Sequence, residues 1–353
     1  MKILVTGSCG LIGSEAVIHY AREGNEVMGI DNNLRNYFFG PKGDTSGVRQ
    51  QLQTEFKNYQ HQQIDIRDRD GLAKCFKAFK PDFVVHAAAQ PSHDWAAREP
   101  FTDFEVNAMG TLNLLESFRQ HTPDGVFVLM STNKVYGDAP NFLPMTEMEK
   151  RYEYQGTLFQ KGIDEKLSID HCLHSLFGAS KLSGDILCQE YGRYFQLKTG
   201  VFRGGCLTGS RHAGVELHGF LSYLVHCAVN HQPYTIFGYK GKQVRDQIHS
   251  SDVIQALELF RKNPRCGEAY NLGGGFENSA SVIEIVDRIE NDFGFSLKTT
   301  YDACARKGDH ICYYSDLTKF KSHYPTFKLK MSLDLILKEM VENASATNTR
   351  KAA

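Results

Sequence analysis

The chain opens on a short apolar run, Lys2-Ile3-Leu4-Val5-Thr6, which breaks into Gly7-Ser8-Cys9-Gly10-Leu11-Ile12-Gly13. Glycines in the pattern G-x-x-G-x-x-G between a strand and a helix leave few folds open. They permit a tight turn, let the backbone approach a phosphate, and aim the helix N-terminus at it. A helical pattern runs from Leu11 to about Arg22, and a second apolar run, Glu26–Ile30, ends at Asp31, 18 residues after Gly13. Such a glycine pattern alone also serves plain turns. A strand before it and a strand-end acid after it predict a dinucleotide site.

Further strands are expected at 60–64, 82–87, 126–131 and 198–203, with helices at 70–79, 103–120 and 179–195. This alternation predicts an α/β fold, a Rossmann-type doubly wound parallel sheet. Residues 35–58 read as a partly helical excursion, and 138–174 as a long charged and aromatic insertion of the kind that is usually functional. Past 205 the alternation lapses. Helices at 215–230, 252–262, 280–293 and 332–342 and a strand at 234–237 predict a smaller C-terminal α/β substrate-binding lobe. The expected division is 1–204 for the cofactor domain, 205–343 for the second lobe with some chain returning to the first, and 344–353 for a disordered tail.

Lys plus Arg 40 against Asp plus Glu 41 gives no field to attract nucleic acid or an anionic membrane, so neither is expected as a partner. The 9 cysteines are scattered without a C-x-x-C pair, which points to free thiols in a reducing compartment and away from a disulfide framework or zinc. The opening apolar run is too short for a signal peptide or a membrane span, so a soluble, cytoplasmic protein without metal is expected.

In the cofactor half, Asp31 is placed to accept hydrogen bonds from ribose hydroxyls. It would repel a 2′-phosphate by about 1 kcal/mol in water and about 4 kcal/mol at a protein surface, which favours NAD over NADP. Asn32 and Arg35 follow it, and Arg35 softens that preference. Asp65 and Ile66 end the third strand. The fourth ends in His86-Ala87-Ala88-Ala89-Gln90, where small residues let the backbone lie against a cofactor. Asn107 lies in Val-Asn-Ala-Met-Gly-Thr.

The fifth strand ends in Ser131-Thr132-Asn133-Lys134-Val135-Tyr136-Gly137, and Phe177 and Lys181, four apart in Ser175–Lys181, share one helix face. With the glycine turn, these motifs resemble the extended short-chain dehydrogenase/reductase (NAD-dependent epimerase/dehydratase) family over about residues 1–340. Thr-Asn-Lys-Val-Tyr-Gly-Asp, Gly162-Ile163-Asp164-Glu165 and Gly241-Lys242-Gln243-Val244-Arg245-Asp246 resemble its CDP-paratose (CDP-tyvelose) 2-epimerase group in particular. That resemblance implies an isomerase of carbohydrate biosynthesis that oxidises and re-reduces carbon 2 of a nucleotide-linked sugar with bound NAD. The 4,6-dehydratases of the family carry an Asp-Glu pair where Asn133 and Lys134 stand.

The resemblance further assigns Thr132 to the sugar hydroxyl, Lys181 to the nicotinamide ribose, and Asp65, Ile66, Asn107 and Arg203 to the cofactor half. Substrate contacts fall to Gln90, Asn133, Lys134, Gly205, His218, Phe220, Thr235 and Phe237, with Arg245 and Arg306 on the pyrophosphate of a CDP-, GDP- or UDP-hexose. A homodimer through the helices near 103–120 and 179–195 is implied as well. One position departs from the pattern, because Phe177 stands where the family carries its catalytic Tyr. The ring has no hydroxyl and cannot be a base. Three explanations stay open: a deliberate substitution, a substitute base among His93, Asp94, His174 and Tyr136, or a sugar-nucleotide or NAD-binding protein that has lost its chemistry. Another epimerase or oxidoreductase on the same scaffold is the remaining enzymatic alternative.

Overall fold

The computed structural model describes residues 1–156, 159–209, 219–305 and 308–352, with side chains described to residue 346. The chain divides into two compact units. Met1–Val135, Ser175–Arg203 and Val253–Tyr270 form the first, and Tyr136–His174, Gly204–Asp252 and Asn271–Ala353 the second. The insertion joins the second unit, where Met145–Glu147 and Tyr152–Tyr154 pair as an antiparallel hairpin and the Tyr152 amide donates to the Lys242 carbonyl at 3.1 Å.

The first unit is built on a seven-stranded sheet of β1 (Lys2–Thr6), β2 (Glu26–Ile30), β3 (Tyr59–Gln62), β4 (Phe83–His86), β5 (Val126–Thr132), β6 (Lys198–Gly204) and β7 (Glu268–Leu272). The order is β7-β6-β5-β4-β1-β2-β3, and the run from β3 to β5 is parallel. Strand order reverses between β1 and β4, so the Gly7 turn and the Ala87–Gln90 loop flank the switch point at which such sheets bind ligands. The last strand, β7, has no counterpart among the expected elements. It lies at the end of Val253–Tyr270, the segment that returns to this unit from the second one.

The helices of this unit are α1 (Leu11–Arg22), α2 (Leu34–Phe39), α3 (Ser46–Glu55), α4 (Arg69–Phe79), α5 (His93–Arg98), α6 (Pro100–Phe104), α7 (Gly110–His121) and α8 (Ser175–Phe195). A π-helical turn, Glu105–Met109, joins α6 to α7. His93 and Asp94 start α5, where the Ser92 hydroxyl accepts from the Trp95 amide. The start of α8 lies four residues earlier than the expected 179, so Phe177 and Lys181 both lie on it. Leu4, Val84 and Phe127 of the sheet are buried in one cluster with Leu72, Phe76, Leu114 and Phe118 of α4 and α7. Each contributes about 1.5–3 kcal/mol by leaving water.

In the second unit, Val244–His249 is the central strand of a four-stranded sheet. It pairs in parallel with Cys206–Thr208 and Cys312–Tyr313 and antiparallel with Ser279–Ser281. Leu221 and Leu224, Ile285 and Ile289, and Ile336 and Leu337, from three helices, form its buried cluster. The last of these helices runs Leu333–Ala352. All nine cysteines are unbridged. Among the described residues no helix is long and apolar enough to cross a membrane.

Candidate active site

The glycine turn is packed backbone against backbone. Gly7 has φ +66°, and a Cβ on it would lie 2.7 Å from the Ala88 nitrogen; one on Gly13 would lie 2.0 Å from the Gly7 oxygen. Gly10 differs, since a Cβ there would meet only the Gly7 oxygen, at 3.4 Å. Space is therefore open over the start of α1, which has no side-chain cap for its N-terminal N–H groups. A pyrophosphate fits that position. Asp31 closes its edge, with Oδ2 accepting from the Cys9 amide at 3.0 Å and Oδ1 from the Asn33 amide at 2.8 Å. Burial pushes the Cys9 thiol up to about 12, so it is a neutral part of the turn. The side chain of Ile12 is buried, whereas Leu11 is half-buried at the helix start.

Asn32 donates to Asp65 at 2.9 Å, and Arg67 pairs with the same carboxylate at 2.7 Å. Burial raises the Asp65 carboxyl, but the hydrogen bonds and charge of Arg67 outweigh it and the net shift is downward. Arg67 had no role in the sequence expectations. The Ile66 carbonyl accepts from Asn113 at 3.1 Å, and the Arg35 guanidinium lies over the Phe39 ring at 4.9 Å. His86, behind Ala87–Ala89, is buried between Thr6 and Thr111 and pushed down to about 3 by burial, with Lys181 adding to the shift.

Lys181 is buried, and its Nζ donates to the Met130 carbonyl of β5 at 2.9 Å. Burial pushes its ammonium down to about 8, against the opposing pull of Asp185 and Asp103. Thr132, at the end of the same strand, accepts from the Lys134 amide at 3.2 Å and donates to buried Asn133 at 3.4 Å. Arg203 is turned into the interior, where it pairs with Asp185 at 2.9 Å, and Ser131 donates to the other oxygen of that carboxylate at 2.6 Å. Its place is thus in a buried ion pair.

Asn107 is the hub. Its Nδ2 donates to the Gln90 carbonyl at 3.0 Å, to Asp103 at 3.0 Å and to the Ser180 hydroxyl of α8 at 3.1 Å, and its Oδ1 accepts from the Gln90 amide at 2.9 Å. It ties the loop after β4 to the helix that carries Phe177 and Lys181. The Gln90 side chain is buried as well, donating to Asp103 and to the Ser92 carbonyl. Asp103 was missed in the sequence; its only signal is the four-residue spacing from Asn107.

Phe177 is 7% exposed, and the His93 ring lies against it with centroids 4.8 Å apart. His93 Nδ1 is 2.9 Å from the Ser175 hydroxyl. Asp94 is exposed on α5. Tyr136 and His174 belong to the second unit. There the Tyr136 hydroxyl is fully buried and donates to Asn271 at 2.8 Å, and the His174 ring borders the Cys172 sulfur at 3.7 Å.

Also in the second unit, Arg245 is buried and pairs with Asp309 at 2.5 Å. Phe220 begins a helix, Thr235 accepts from Thr300 at 3.2 Å, and the Phe237 carbonyl accepts from Gln243 at 3.0 Å. A Cβ on Gly205 would lie 2.6 Å from Asp246 Oδ1, so that glycine serves close packing. His218 and Arg306 lie outside the described residues.

A glycine turn at the switch point of a parallel sheet, a strand-end acid and a buried lysine beside the fifth strand define a Rossmann-type nucleotide-binding protein. The model of the NAD dependent epimerase/dehydratase family matches residues 3–273. CDP-paratose 2-epimerase from Salmonella typhi is 32% identical over 90% of this chain and 92% of its own. Human UDP-glucose 4-epimerase is 28% identical over 89% of this chain and 88% of its own. Among solved structures, a tyrosine-to-phenylalanine mutant of Bacillus cereus UDP-glucuronic acid 4-epimerase, in complex with NAD and a fluorinated UDP-sugar, is 26% identical. It superimposes with a TM-score of 0.80 over 98% of this chain and all of that one. The chain belongs to the NAD-dependent epimerase/dehydratase family, and its cofactor is NAD.

Proposed function

We propose that the protein epimerises a nucleotide-linked sugar at carbon 2 by transient oxidation and re-reduction, as a CDP-paratose 2-epimerase does. What supports this most is Asn133, a buried amide directly after Thr132. An amide cannot give up the proton an Asp at this position would supply to expel water, which favours re-reduction of the oxidised sugar over dehydration. The 32% identity to the Salmonella typhi enzyme agrees with carbon 2 and a CDP-sugar.

NAD, when bound, takes up and returns the hydride. Gly7, Gly10, Gly13 and Asp31 would hold its adenosine and pyrophosphate, and Lys181 its nicotinamide ribose. Thr132 would orient the sugar hydroxyl, while the buried charge of Lys181 favours loss of the hydroxyl proton. Phe104, Met109, Ile186 and Tyr194 are exposed apolar side chains within 103–120 and 179–195, which supports a homodimer through those helices.

Phe177 favours a second reading, a sugar-nucleotide-binding protein without turnover. Proton NMR of the purified protein with NAD and CDP-, GDP- and UDP-hexoses separates the two. An inverted coupling at carbon 2 is expected. Inversion elsewhere on the ring supports another epimerase of the same scaffold, and unchanged spectra throughout support the binding protein.

A further inference from the structure

We propose that His93, oriented by Ser175, is the group that accepts the sugar hydroxyl proton in place of the missing tyrosine, a proposal that rests on the redox epimerase reading. The imidazole lies against the Phe177 ring, 4.8 Å between centroids, beside the ring that stands in the place of the tyrosine. Half-buried, it can be reached by a ligand. Ser175 Oγ, 2.9 Å from Nδ1, also accepts from the Gly178 amide at 3.3 Å, which fixes the hydroxyl on the first turn of α8. When Nδ1–H donates to it, the basic lone pair lies on Nε2.

The support under His93 is rigid. Ser92 caps α5, and the Gln90 amide beneath it is bound to Asp103 and the Ser92 carbonyl. On its outer side, Trp95 donates to the Phe38 carbonyl and packs on the Tyr37 ring at 5.2 Å, while Tyr37 donates to Glu99 at 2.7 Å. The excursion after β2 therefore buttresses the helix that carries the base. Of the other candidates, Asp94 is exposed, the Tyr136 hydroxyl is buried on Asn271, and the His174 ring borders the Cys172 sulfur.

With NAD bound to supply the hydride acceptor, Nε2 of His93 would take the carbon 2 hydroxyl proton in the oxidative half, and the imidazolium would give it back in the reductive half, so nothing would be consumed.

The test is His93→Gln, with Phe177→Tyr added in the same chain. His93→Gln is expected to lower kcat roughly 10²- to 10⁴-fold, with NAD and CDP-paratose affinities by calorimetry changed less than about threefold. Adding Phe177→Tyr is expected to restore turnover, which a merely structural role for His93 would not allow. Loss of less than about threefold in the single variant overturns the proposal. Independently of turnover, the imidazole resonances of ¹⁵N-labelled His93 are expected to shift when the NAD-loaded wild-type protein is saturated with CDP-paratose, and unmoved resonances also overturn it. A wild-type protein that binds and shifts His93 but inverts no sugar counts against the epimerase reading instead. Should His93→Gln fail to fold, Ser175→Ala, expected to lower kcat about tenfold, carries the same comparison.

Discussion

Lys181 donates from α8 to the carbonyl of Met130, two residues before Thr132, at 2.9 Å. The contact holds a buried ammonium at the end of the strand that carries Thr132, and burial brings its pKa from 10.5 to about 8.

Lys181→Met should therefore abolish turnover and stabilise the protein. Below pH 8 the lysine is charged in both folded and unfolded chains, and the depressed folded pKa costs as much as about 3 kcal/mol. The unfolded chain binds more protons between pH 8 and 10.5, so wild-type stability rises across that window. Urea denaturation should show the variant more stable at pH 7 and the gap largely closed by pH 10.5. A variant less stable at pH 7 would show that the ammonium is not penalised.

Asn107→Ala removes partners from the Gln90 backbone, Asp103 and Ser180 together. A loss of about 2–4 kcal/mol is expected, since each buried group left unpaired costs about 1–3 kcal/mol. Denaturation midpoints report this directly.

Two glycine substitutions should separate packing from binding. Gly13→Ala drives a Cβ to 2.0 Å from the Gly7 oxygen and should destabilise the fold strongly, whereas at Gly10 the nearest atom is 3.4 Å away. Gly10→Ala should leave the melting temperature within a few degrees and weaken NAD binding at least tenfold by calorimetry. Equal melting losses would mean that the space over Gly10 is not the cofactor's.

Much of this was legible in the sequence because it is local. The glycine turn, Asp31 and the strand ends follow from short-range pattern, and Phe177 and Lys181 from helical spacing. Partners set by topology were not. Met130, Ser180 and Asp103 meet their partners only once the sheet order is fixed, and the buried partner of Arg203, Asp185, is visible only in the fold. The helix α5 was invisible because six residues ending in charged side chains carry little periodicity. Arg245 shows the same effect in the second unit, where Asp309 holds it.

Dimer formation should depend on the exposed apolar side chains of 103–120 and of α8. Tyr194, 81% exposed, is the apolar group to charge. Tyr194→Glu should convert a dimer to a monomer in sedimentation velocity, with the melting temperature of each protomer little changed. Wild-type protein sedimenting as a monomer at micromolar concentration would remove this face as an interface.

The most direct measurement uses CDP-paratose carrying deuterium at carbon 2, turned over with NAD in ordinary water and read by NMR and mass. Hydride that leaves and returns within one site keeps its label, so the expected product is the carbon 2 epimer with deuterium fully retained. Product that has exchanged its label for solvent hydrogen would mean proton abstraction at carbon 2, and would contradict epimerisation by internal oxidation and reduction.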